Sequence, residues 1–131
     1  MLFFSADEGR KRIGIVGSRR RNSEEDYQSL ENVFLRIYQK GDIIVSGGCP
    51  KGGDNFAERI AKKFGISILI HYPRKGADGK WEHKGSGMVR NTWIAEDSTH
   101  LIAVVASDRT GGTEDTIKKF EKKTNKKAIL V

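Results

Sequence analysis

Two glycine pairs stand where this chain could hold a phosphate: Gly47–Gly48 in IIVSGGCPKGGDNFAERI, and Gly111–Gly112 in DRTGGTEDTI. Each follows an apolar run, Ile43–Val45 in the first case and Leu101–Ala106 in the second, and each precedes a stretch of helical periodicity. A strand that feeds a helix through glycines brings bare backbone amides and the positive end of a helix dipole to one point, which suits an anion. Two such turns on separate strands argue for phosphate binding, where one alone would be an ordinary turn with positive φ. The first turn runs from Ser46 to Asp54 and includes Gly53. A third polar turn, Gly17-Ser18-Arg19, closes the run RIGIV. Neither a dinucleotide fingerprint nor a P-loop is present: VGSRRR lacks G-x-G-x-x-G, and GCPKGGD lacks the Lys-Ser or Lys-Thr ending.

The carboxylates near these turns have two readings each. Asp54, Glu114 and Asp115 fall in first turns of helices, where a negative charge balances the dipole. Asp54 equally suits a contact to a ribose hydroxyl, and Asp115, with Glu114 behind it, could steady a sugar cation as an N-glycosidic bond breaks. Arg90 would bring a planar, bidentate guanidinium to the same edge, or pair with Glu96 or Asp97 on the surface. Asn91 beside it contacts either the ligand or a loop. His71, His83 and His100 lack any metal-ligand spacing and Cys49 is the single cysteine, so no metal site is expected.

These residues need a scaffold, and the periodicities supply one. Strands are expected at Arg12–Val16, Ile43–Val45, Ile66–Ile70, Leu101–Ala106 and Ala128–Val131. Helices are expected from Ser23, with a Ser23/Asp26 capping box, to about Gln39; from Asp54 to Phe64, with Phe56, Ala57, Ile60, Ala61 and Phe64 on one face; from Met88 to Asp97, with Val89, Trp93 and Ile94 inward; and from Thr113 to Lys123. Strands apolar on both faces that alternate with amphipathic helices predict a Rossmann-like three-layer α/β/α sandwich on a mostly parallel sheet of about five strands. In such sheets ligands bind beyond the strand carboxyl ends, where all the turns above fall. The stretch 72–88, rich in glycine and carrying Trp81 and His83, reads as a binding loop or lid.

The 131 residues suffice for one domain, with 1–11 as a loose lead-in. MLFF is too short for a signal segment or a membrane span, and the lone cysteine fits a reducing compartment, so a cytoplasmic location with no membrane partner is expected. The net charge of +7 comes largely from lysines between Lys118 and Lys127, which read as the solvated face of the last helix.

The segments IGIVGSR, IVSGGCPKGGDNFAERIAKKFGI, HYPRKGADGKWEHKGSGMVRNTWIAEDSTHLIAVV and RTGGTEDTIKKFEKKTNKKAILV together resemble the SLOG superfamily of Rossmann-like nucleotide-binding domains. The look is nearest to its YspA/YpsA-related branch, and more distantly similar to the LOG phosphoribohydrolases, DprA and molybdenum-cofactor carrier proteins. The resemblance spans residues 12–131, most specifically in SGGxxxGGD, in GxxRN at Gly87–Asn91 and in the GGT turn. It implies a nucleotide or nucleotide derivative, with phosphate or ribose near Gly17, Ser18, Gly47, Gly48 and Gly111–Thr113, bound by a sensor, carrier or subunit that forms a homo-oligomer. In the LOG enzymes a PGGxGTxxE turn and a helical arginine hydrolyse nucleoside 5′-monophosphates, and Arg90 matches that arginine. Here the proline is absent and the turn is shorter, with Asp115 rather than Glu114 in the place of the catalytic glutamate. Hydrolysis of an N-glycosidic bond is therefore the alternative expectation, and single-stranded DNA binding like that of DprA a further one.

Overall fold

A computed structural model of the chain describes residues 10–49, 52–72 and 86–131. The MLFF start, and the part of the expected binding loop that holds Trp81 and His83, lie outside the described residues. Chain order is β1 (Arg12–Gly17), α1 (Glu24–Ile37), β2 (Ile43–Ser46), α2 (Gly53–Phe64), β3 (Ile68–Ile70), α3 (Ser86–Asp97), β4 (His100–Val104), α4 (Gly112–Thr124) and β5 (Ile129–Leu130). The five strands form one sheet in the order β3-β2-β1-β4-β5, with every pairing parallel. This is the expected α/β architecture, and no helix among the described residues is long and apolar enough to cross a membrane.

Alternation along the strands divides the core in two. Ile13 and Ile15 of β1 and Ile102 and Val104 of β4 face α1 and α2, joining Leu30, Phe34, Phe56 and Ile60. Val16, Val45, Leu101 and Ala103 point the other way, to Ile94 and Ala95 of α3 and Ile117 and Phe120 of α4. Both faces of the sheet are thus covered, which is why its strands read as continuous apolar runs.

The helix ends follow local chemistry. Ser23 accepts from the Asp26 amide at 3.1 Å while the Asp26 carboxylate accepts from the Ser23 amide at 3.2 Å, so the short-acid capping box forms. Gly65 closes α2 in the left-handed conformation, φ +65°. Several boundaries differ from the sequence reading: α1 ends at Ile37, β3 begins only at Ile68, and β4 stops at Val104. Phe64 and Val89, expected inside, are exposed. Phe64 sits in the last turn of α2 and Val89 in the first turns of α3.

The contact that positions the site is between backbones. Gly17, at the end of β1, meets Gly53, at the start of α2, so closely that a Cβ on Gly53 would overlap the Gly17 nitrogen and the Val16 carbonyl carbon. A Cβ on Gly17 would stand 2.9 Å from the Gly53 nitrogen. Since backbone cannot step aside as a side-chain tip can, Gly53→Ala is expected to cost about 1–3 kcal/mol of stability. Urea denaturation reads this directly, and an unchanged midpoint would show that strand and helix do not touch there.

Candidate functional site

The chain leaves β1 through α1 towards β2 on one side of the sheet, while β4 continues through α4 to β5 on the other. The order therefore reverses between β1 and β4, and a crevice opens beyond their carboxyl ends. A cavity of about 310 Å³ fills this place. Gly17, Ser18, Arg19 and Arg20 line it from the loop after β1, and Thr110–Thr113 from the loop after β4. Asp54 of α2 and Arg90, Asn91 and Ile94 of α3 form its remaining walls, with Cys49 and Thr116.

The two glycine turns, alike in sequence, are unlike in structure. In the turn after β2 the Asp54 carboxylate reaches back to accept from the Cys49 amide at 3.1 Å and also from the Gly47 amide. The Gly48 amide lies 3.5 Å from the Ser46 hydroxyl, and the Gly52 amide donates to Asn22 at 2.8 Å. Three of its amides are thus directed at Ser46 and Asp54 and a fourth at Asn22 of the loop after β1, although α2, like α4, starts on a glycine N-cap with no side-chain cap. Ser46, Gly47, Gly48 and Gly53 do not line the cavity. The turn before α4 is open. Its N-cap is Gly111, φ +108°, with no side-chain cap, and a Cβ on Gly111 would meet nothing within 4 Å. The first amides of a helix need an outside partner, so α4 presents donors and its dipole to the cavity.

Arg90 supplies the cation. Its Nη1 lies 3.5 Å from the Gly47 carbonyl, and its Nε is buried with no hydrogen-bond partner. The surface pair with Glu96 or Asp97 does not form: Asp97 takes His71 instead, at 2.5 Å. Gly47 is wedged beside Arg90, since a Cβ there would stand 2.9 Å from Asp54 Oδ2 and 3.2 Å from Arg90 Cδ. Burial pushes the Asp54 carboxyl above its ordinary pKa, against the pull of Arg90 and of the two amides it accepts from. A costly buried acid beside a cation in a cavity wall is what functional sites accumulate.

The acidic residues expected to stabilise a sugar cation are engaged elsewhere. Glu114 is held in a two-point pair by Arg109 at 2.8 and 2.9 Å. Asp115 pairs with Lys119 at 2.9 Å and accepts from Asn91 at 3.2 Å. Neither lines the cavity. Asn91, buried, also donates to the Gly112 carbonyl at 3.2 Å, so it ties α3 to the start of α4 while forming part of the wall.

The three consecutive arginines part ways. Arg19 is exposed at the cavity rim and makes no ion pair among the described residues. Arg20 crosses to Asp108, and Arg21 is structural, donating to Asp26 and to the carbonyls of Val105 and Val131. Sequence reasoning did not single out Thr110, Thr116 and Ile94 as lining residues; for Arg20 the signal was its place in the RRR run directly after a strand, where an anionic ligand is expected. Comparison with protein-family models, with curated proteins and with solved structures finds no match for the chain.

The raised pKa of Asp54 carries a sign. An acid whose folded pKa lies above its unfolded value is best accommodated protonated, so its cost is absent at low pH and grows as pH rises through the folded pKa. Asp54→Asn keeps an acceptor for the Cys49 and Gly47 amides and removes the charge. The variant is expected to melt higher than the wild type at pH 7, with the gap closing as pH falls below the ordinary carboxylate range; thermal melts across pH test this, and a pH-independent gap would refute it.

Proposed function

We propose that this chain binds a phosphate-bearing nucleotide or nucleotide derivative in the cavity between the β1 and β4 loops, and serves as a sensor, carrier or subunit. The observation that carries the reading is the meeting of Arg90, with its unpartnered Nε, and the uncapped first turn of α4 on one cavity at the point where strand order reverses. The Arg90 Nε has no protein acceptor among the described residues, and the first turn of α4 has no side-chain cap. A phosphate supplies that acceptor, by its oxygens at the helix start and by planar pairing with the guanidinium. A volume of about 310 Å³ lies at the lower end of the roughly 300–1,000 Å³ typical of small-molecule sites, which suits a mononucleotide better than a dinucleotide.

On this reading the chain is a SLOG-type domain, and the GGT turn is its phosphate cradle while the SGGxxxGGD turn braces the wall. Hydrolysis of the N-glycosidic bond draws less support, because Glu114 and Asp115 are held by Arg109, Lys119 and Asn91 outside the cavity lining.

A thermal-shift screen tests the reading. A ligand present at a hundred times its Kd adds about 2.7 kcal/mol to stability. One or more nucleoside phosphates should raise the melting point of the wild type while the matching nucleosides do not, and Arg90→Gln should abolish the shift. If no phosphate-bearing compound stabilises the chain, the proposal fails.

A further inference from the structure

Arg20, in the cavity wall, reaches from the loop after β1 to the loop after β4. Its two terminal nitrogens donate to the two carboxylate oxygens of Asp108 at 2.7 and 2.8 Å, and one of them also to the carbonyl and hydroxyl oxygens of Thr110 at 3.2 and 3.0 Å. Arg20 follows β1 and Asp108 follows β4, so this one side chain joins the two loops that enclose the site. Both partners are about half exposed, at 54% and 53%. Water and salt reach both groups, so the pair, although bidentate, is screened and open to exchange with another anion. Arg20 and Thr110 line the cavity themselves, beside the open turn of α4.

We propose that Arg20 is an exchangeable latch: its guanidinium grips Asp108 in the loop after β4, and a phosphate dianion entering the cavity takes it over, so that Asp108 competes with the ligand and sets which anions bind. The inference rests on the reading of the cavity as a phosphate site. A carboxylate and a phosphate present the same pair of oxygens to a guanidinium fork, but the phosphate brings a second charge and a further oxygen for the α4 amides. A monoanionic carboxylate ligand offers Arg20 nothing that Asp108 does not already give. The latch therefore discriminates by charge, and it ties occupancy of the cavity to the freedom of the loop from Ser107 to Thr110. The Arg20 guanidinium, helped by the Thr110 hydroxyl, holds the Asp108 carboxyl below its ordinary pKa.

The test uses inorganic phosphate as the probe, titrated at constant ionic strength and followed through the amide signals of Gly111, Gly112 and Thr113. Asp108→Asn keeps an acceptor for the Thr110 amide and hydroxyl and removes the competing charge. It should tighten phosphate binding roughly threefold, the scale of an exposed ion pair. Arg20→Gln should weaken binding, and in that background Asp108→Asn should make no difference. If the wild type binds phosphate and Asp108→Asn binds it no better, the latch is wrong while the phosphate site stands. A gain from Asp108→Asn that survives in the Arg20→Gln background would mean plain repulsion and would likewise overturn the latch. Absence of binding to the wild type and to every variant would remove the phosphate site, and the latch with it.

Discussion

The site depends on the approach of two glycine backbones, Gly17 on β1 and Gly53 at the start of α2. With no Cβ on either, the helix begins directly against the strand, and the next residue, Asp54, is delivered inward instead of into solvent. From there it reaches the Gly47 and Cys49 amides and fixes the turn after β2. Gly47, held in that turn, is small enough for Arg90 to lie over it, and Arg90 then closes one wall of the cavity. Each step requires the one before: a wider helix–strand gap would withdraw Asp54, release the turn and leave Arg90 without its seat.

The layers of the fold follow from local pattern. Apolar runs bounded by glycine became strands, amphipathic stretches became helices, and covering both faces of the strands required a parallel sheet with two helical layers. Element edges were harder, because they depend on neighbours distant in sequence. Ile66 and Ser67 have the composition of a strand, yet pairing with β2 begins only at Ile68, opposite Ile44. Phe64 has the helical spacing of a core residue but lies exposed in the last turn of α2.

The site was readable as a place and much less as an assignment of roles. Strand carboxyl ends identify themselves once the sheet is parallel, so the loops at Gly17, Gly47 and Gly111 could be brought to one edge from sequence. Which turn has amides to spare could not, because SGG and TGG differ in what lies nearby in space. The first turn has a carboxylate folded back on it from α2, whereas the acids of the second, Glu114 and Asp115, are drawn outward by Arg109 and Lys119. The same holds for the arginines at 19, 20 and 21, identical in type and adjacent in sequence. Arg20 finds Asp108 in the loop between β4 and α4, and Arg21 finds Asp26 on α1 and the carbonyls of Val105 and Val131 just past β4 and β5, so the sheet order helps decide what each can reach.

The two ends of the sheet treat their polar groups differently. At the amino ends of the strands the polar groups satisfy one another: the Asp42 carboxylate takes the amides of Lys11 and Gln39 and the Lys11 ammonium, and Arg12 bonds to Thr99 and to the Asp97 carbonyl. Burial would push the Asp42 carboxyl up, but these donors hold it below its ordinary pKa, so its charge stabilises the fold. At the carboxyl ends the balance is reversed. Asp54 is pushed up by burial in spite of Arg90; the Arg90 Nε has no acceptor; and α4 begins without a side-chain cap. Folding alone would favour replacing such groups, since buried charge and unpaired donors lower stability. One sheet thus settles its charges at one end and leaves an unpaired donor and an uncapped helix at the other, and that imbalance is the physical ground of the anion-binding proposal.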